Sequence, residues 1–200
     1  MRQAPLLTSG HNLLRPWTSG DLDFVLAAAR DPQISRFSSV GLATNAVEAL
    51  RWISSRTASD RLDWVIDGSG DPIGRVSLAY INPEDGVAEI GYWVLPAHRR
   101  RGVATTAVAA VEEHAYGSMR LRRLVIRHEL ENSASCALAN SRGYQAEGTQ
   151  RAAFVRRGEP RDLHVHALLA TDLVAQEAHG EARGRQAPGR TGQPARPPTE

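Results

Sequence analysis

At 200 residues, 42% hydrophobic and 23% charged, the chain has the composition of one folded domain with a modest tail, which excludes a wholly disordered or fibrous protein. A formal net charge of +2, with 24 basic residues that are all arginine and spread along the chain, argues against a dedicated nucleic-acid surface, which needs a dense basic stripe. No apolar run nears the roughly 20 residues of a membrane span, no secretory signal opens the chain, and the single cysteine, Cys136, permits no internal disulfide, so a cytoplasmic protein is expected.

Residues 1–12 show no core pattern and are expected to be flexible. A first strand falls at 13–15 and is stopped by Pro16. Asp21 opens an amphipathic helix in which Leu22, Val25, Leu26 and Ala29 share a face, and a second helix fits 45–57, with Val47, Leu50 and Ile53 aligned. The period then changes to two: Leu62, Trp64 and Ile66 alternate with Asp63 and Asp67. The turn at 68–71 and a return strand at 73–81 make a hairpin, and a second turn at 82–86 leads into a third antiparallel strand at 87–94.

Past Pro96 comes a helix over about 101–117, with Val103, Ala107, Val111 and Ala115 at i, i+4 spacing. A short apolar strand is expected at 124–128. The next helix, 132–142, is opened by an Asn132 cap and closed by Gly143. Two last strands, near 152–156 and 163–169, flank the turn at 157–160. From Gly180 to Glu200 there are four glycines, four prolines, four arginines and no aromatic residue. That composition cannot bury enough surface to fold, so 13–172 is expected to be the domain and 173–200 a disordered tail.

The chemistry concentrates in residues 89–105. A strand runs into a short basic loop (Arg99, Arg100, Arg101, Gly102), which becomes a helix beginning Val103-Ala104-Thr105. Free backbone amides and the positive end of the helix dipole converge at such a junction, which suits a pyrophosphate. Gly102 lets the main chain approach a ligand with no Cβ in the way, and the arginines can add charge-assisted contacts. A basic surface helix start with no ligand fits the same residues.

Arg99-x-x-Gly102-x-Ala104 resembles the coenzyme A signature of the GCN5-related N-acetyltransferase (GNAT) superfamily. The flanking Gly91-Tyr92-Trp93-Val94-x-Pro96 is similar to the branch that acetylates the N-termini of ribosomal proteins. A second block, Asn132-x-x-Ser135-x-x-Leu138-Ala139-x-x-x-Gly143-Tyr144, resembles another family pattern, with tyrosine in place of the usual phenylalanine. The resemblance extends over about 13–172 and implies an α/β fold. Its sheet is strongly bent and mostly antiparallel, helices cover both faces, and the fourth and fifth strands splay apart around acetyl-CoA.

It further implies that the Trp93 and Val94 backbone serves the pantetheine arm and acyl carbonyl, that 99–104 holds the pyrophosphate with Thr105 also binding the cofactor, and that Asn132 touches the arm. The acceptor is expected to be a primary amine, as a protein N-terminus or a polyamine- or aminoglycoside-like molecule. Acyl transfer needs an amine deprotonated, an oxyanion held and a thiolate protonated as it leaves. Glu89 is the first candidate base and His128 the second; Glu89 is equally well read as an ion-pair partner of an arginine on a neighbouring strand. Ser135 is the candidate proton donor. Cys136 reads as a packed small residue facing elsewhere on the helix, and the histidines show no metal-ligand spacing, so no metal is expected. A non-catalytic acyl-CoA sensor on the same fold is the alternative function, and a monomer or homodimer is expected.

Overall fold

The computed structural model describes residues 3–156 and 158–173. Contacts divide the chain into a compact unit, Met1–Ala170, and a second, Thr171–Glu200; all that follows concerns the first. The expectation of a disordered tail beyond residue 173 lies outside the described residues.

Leu7–Ser9 (β1) pairs antiparallel with Asn12–Pro16 (β2). This corrects the expectation that 1–12 is flexible: Gly10 turns the chain at φ 60°, and the Trp64 indole donates to the Pro5 carbonyl at 2.6 Å. The anchor is a distant side chain, which a local pattern does not reveal. Leu22–Arg30 (α1) follows, then Pro32–Phe37 (α2), which periodicity did not find because it is shorter than two turns. Its start signals are present, with Pro32 at the first position and the Asp31 carboxylate accepting from the Ile34 amide at 2.8 Å. Ala46–Ser54 (α3) is capped by Asn45.

Leu62–Gly68 (β3), Asp71–Asn82 (β4) and Val87–Val94 (β5) form the antiparallel meander the alternation predicted. The acidic side of β3 is not solvated, however. Asp63 is only 3% exposed and takes both ends of the buried Arg75 guanidinium, at 2.5 and 2.8 Å. A strand covered on both faces must either lose its charges or pair them, and this one pairs them. Val65 points into the cluster formed by α1, α2 and α3 with Phe24, Trp52 and Trp93. Its neighbour Trp64 points the other way and meets His114 edge-on.

Val103–Glu113 (α4) begins two residues later than expected and runs into a wider π-type turn, His114–Ser118. Arg123–Glu129 (β6) and the helix Ser133–Ser141 (α5) match expectation. The last two strands, Gln145–Arg156 (β7) and Glu159–Leu169 (β8), are longer than predicted. Exposed polar residues over 145–151 hide the first half of β7, which is a sheet edge. The sheet order is β1-β2-β3-β4-β5-β6-β8-β7, antiparallel except at β5–β6. That parallel pairing covers only Val87–Glu89 against Arg123–Val125, after which the two strands part.

Candidate active site

The parting of β5 and β6 leaves a cleft of about 1230 Å³, above the roughly 300–1,000 Å³ usual for a small-ligand site. One wall is continuous in sequence. Glu89, Trp93, Val94, Arg99, Arg100, Gly102, Val103, Ala104 and Thr105 all line it. Gly74 lies opposite Val94, where a Cβ would stand 2.8 Å from the Trp93 carbonyl, so glycine lets β4 and β5 close up behind this wall. No β6 residue pairs with the cleft edge of β5 from Ile90 to Val94, so that edge can take an extended ligand arm.

At the far end of the wall Gly102 takes φ 77° and caps α4 without a side-chain bond; a Cβ there would meet nothing within 4 Å. The first α4 bond runs from the Thr106 amide to the Gly102 carbonyl at 2.9 Å, which leaves the Val103, Ala104 and Thr105 amides without helical acceptors. Arg99 is tied down: its guanidinium donates to Asp31 at 2.5 Å, Gln33 at 2.8 Å and the Val94 carbonyl at 3.0 Å. It latches the loop to the α1–α2 junction. Arg100 lines the cleft and has no ion pair among the described residues, whereas Arg101 does not line it.

The other wall is drawn from separated segments: Gln33 and Phe37 near α2, His128 and Glu129 on β6, Asn132 and Ser135 at α5, and Phe154, Arg156 and Leu163 from the last hairpin. The Asn132 carboxamide accepts from the Ser135 amide at 3.2 Å, so the cap turns both residues to the cleft. Arg156 pairs with buried Glu129 at 2.9 Å and closes this side.

Glu89 lies where the strands separate. Arg127 of β6 donates to its carboxylate at 2.7 Å, so the ion pair foreseen for it is formed. Burial nonetheless raises the Glu89 pKa above the usual carboxylate range, outweighing the lowering by Arg127. Burial also lowers the His128 pKa, which leaves a neutral imidazole whose Nδ1 faces the Glu129 carbonyl at 2.9 Å.

Tyr92, to which the sequence assigns no chemical role, also lines the cleft. Its hydroxyl lies in the cleft, 3.5 Å from the Ser135 carbonyl, with a pKa pushed up to about 12, chiefly by burial. Its place two residues after Ile90 on the strand that leads into the basic loop was the available signal. Cys136 faces away from the cleft, as expected of a packed small residue, and its Sγ sits 3.9 Å from His166 Nε2 on β8.

The open strand edge lies between a half-buried carboxylate and a glycine-capped helix start, an arrangement that suits an extended thioester such as an acyl-CoA. The comparisons with known proteins agree. Residues 12–145 match the family described as "Acetyltransferase (GNAT) domain", and the chain belongs to that family of acetyltransferases. It is 27% identical to an uncharacterised N-acetyltransferase, p20, of Bacillus licheniformis, covering 80% of this chain and 94% of the relative. Over 48% of this chain and 54% of the relative, it is 33% identical to the ribosomal-protein-serine acetyltransferase of Escherichia coli K12. The structure of Mycobacterium smegmatis RimJ in complex with CoA-disulfide shares the fold, with a TM-score of 0.75 and 22% identity over 90% of this chain and 94% of that one. Among the described residues no helix is long and apolar enough to cross a membrane.

Proposed function

We propose that this acetyltransferase moves the acetyl group of acetyl-CoA to a primary amine, a protein N-terminus or a small-molecule amine, by direct attack on the thioester. The carrying observation is the cleft itself, with a helix start suited to phosphate at one end and a half-buried carboxylate of raised pKa at the other. Acetyl-CoA supplies the activated carbonyl and the thiol leaving group.

The open edge at Trp93 and Val94 is suited to hold the arm and orient the carbonyl, and the Val103–Thr105 amides with Arg100 are suited to the pyrophosphate. Arg99 keeps the loop in shape from behind. Asn132 orients α5 and contacts the arm.

Glu89 takes the ammonium proton, directly or through a water. An amine of pKa ~8 to ~10.4 arrives protonated, and a carboxylate moved up from the acid range is a better match for it. Protonation of the departing thiolate, of pKa ~8.5, falls to Ser135 with Tyr92 beside it. Ser135→Ala and Tyr92→Phe separate the two: the donor's loss lowers kcat with little change in KM for acetyl-CoA. If neither variant slows turnover, both roles fail.

Assay of thiol release across N-terminal peptides, polyamines and aminoglycosides tests the whole reading and names the acceptor. Absence of turnover with every amine, alongside intact acetyl-CoA binding, would instead favour the acyl-CoA sensor.

A further inference from the structure

Three of the chain's histidines meet beneath the non-contiguous wall of the cleft. His164 and His166 are two apart on β8 and therefore share a face of the sheet. His128 on β6 is the cross-strand partner of His164, so it joins them on that face. α5 lies over the same spot and lowers Cys136 onto it. One donor atom from each of His128, Cys136, His164 and His166 lies within 4.8 Å of all the others. The closest donors are His166 Nε2 and His164 Nδ1 at 3.1 Å, and Cys136 Sγ and His166 Nε2 at 3.9 Å.

We propose that His128, His164, His166 and Cys136 form a zinc site that fastens α5 to β6 and β8. A tetrahedral ion with Zn–N near 2.0–2.1 Å and Zn–S near 2.3 Å has donor–donor edges of about 3.3–3.6 Å. The 3.1 and 3.9 Å separations bracket that range, and a pair at the 4.8 Å limit would close by about 1.2–1.5 Å.

His128 is already oriented as a ligand. Its Nδ1 lies 2.9 Å from the Glu129 carbonyl, the second-sphere bond that fixes a metal-binding tautomer, and its Nε2 is buried with no hydrogen-bond partner. An unmet buried acceptor is costly, and a metal removes that deficit. The residues around the cluster suit the neutral form of the rings. His166 is only 1% exposed and His128 5%, and burial, with the neighbouring histidines, lowers both pKa values.

Three imidazoles and a thiolate suit Zn²⁺. All four positions are filled by protein, which is the pattern of a structural rather than a catalytic site. Cys136 surrenders its proton on binding. The ion then holds the helix that carries Asn132 and Ser135 into the cleft, and His128 serves as a ligand rather than a base.

The test uses the full-length protein without a histidine tag. Metal analysis by plasma mass spectrometry is expected to find about one zinc per chain, and chelation to lower Tm. Co²⁺ added to the metal-free protein should give the intense visible bands of tetrahedral cobalt with a thiolate charge-transfer band. Cys136→Ser should remove the charge-transfer band and weaken Co²⁺ binding by at least the roughly 10–100-fold that loss of an outer-sphere partner costs. His164→Gln, at a less buried position than His166, should weaken it likewise. Acetyl-CoA should still raise the Tm of both variants, which separates this site from the coenzyme site. Failure of the wild-type chain to bind Co²⁺ or Zn²⁺, or an unchanged cobalt spectrum in Cys136→Ser, overturns the proposal and leaves a hydrogen-bonded histidine cluster.

Discussion

The two walls of the cleft are built in opposite ways. The first, from Glu89 to Thr105, is one uninterrupted strand, loop and helix start, and its function lies in backbone groups. The second gathers side chains from α2, β6, α5, β7 and β8, residues up to 130 positions apart when Gln33 and Leu163 are compared. A contiguous wall tolerates side-chain variation but not a change in main-chain geometry. A gathered wall depends on particular side chains and on the pairing of β6 with β8. Mutations should therefore divide by wall, with Glu89 the sharpest exception among the first-wall side chains given a role, Tyr92 and Arg100 being the others.

That exception carries the largest expected effect. Glu89→Gln keeps shape and hydrogen-bonding reach but cannot take a proton, so turnover should fall roughly 10²–10⁴-fold. Stabilisation by acetyl-CoA should persist, because the change leaves the strand edge and the α4 amides intact. Near-normal turnover with a lowered Tm would reduce Glu89 to the ion-pair partner of Arg127.

Next comes the main chain at Gly102. Acetyl-CoA at 100 times its Kd should stabilise the wild type by about 2.7 kcal/mol, read as a Tm shift. Gly102→Val should abolish that shift. It should also cost the unliganded protein of order 1–3 kcal/mol, since φ 77° strains a β-branched residue even where its side chain has room. A variant that still responds to acetyl-CoA would show that the pyrophosphate sits elsewhere.

A smaller effect is expected from Arg127→Met. Burial raises the Glu89 pKa and Arg127 opposes it, so removing the guanidinium should raise it further. The acid limb of kcat/KM should move to higher pH, with the same limb flattened in Glu89→Gln. The sign for stability follows from the same shift. The folded state holds this proton more tightly than the unfolded chain, so the contribution favours folding at acid pH and is lost as pH rises through the raised value. An acid limb that stays in place in Arg127→Met would remove Glu89 as its source.

The smallest effect is no effect. Among the described residues, those lining the cleft run from Gln33 to Leu163, so a chain ending at Val174 should keep its Tm and its turnover. A clear fall in either would give the tail a part in the domain.

The hairpins of the central sheet, the start of α4 and the Asn132 cap were legible because each rests on neighbours in sequence: a period of two, a glycine before an amphipathic run, a capping residue at the right offset. The motifs around Arg99 and Asn132 carried the family resemblance for the same reason. Other features needed partners that no local pattern names. β1 is fixed by pairing with β2 and by the Trp64 indole, and α2 is too short to show a period. Asp63 reads as a solvent-facing residue until Arg75 is found beside it.

The histidine–cysteine cluster shows the limit most clearly. His164-x-His166 on a strand was a visible hint, but His128 and Cys136 lie about 30 residues or more away and join it only because β6 pairs with β8 under α5. By itself the sequence determined most of the elements and the contiguous wall proposed for the coenzyme, because hydrophobic period, capping and backbone freedom are local properties. Only the tertiary structure decided which charges are buried in pairs, which residues meet across the cleft and which donors converge, because those depend on strand order and register.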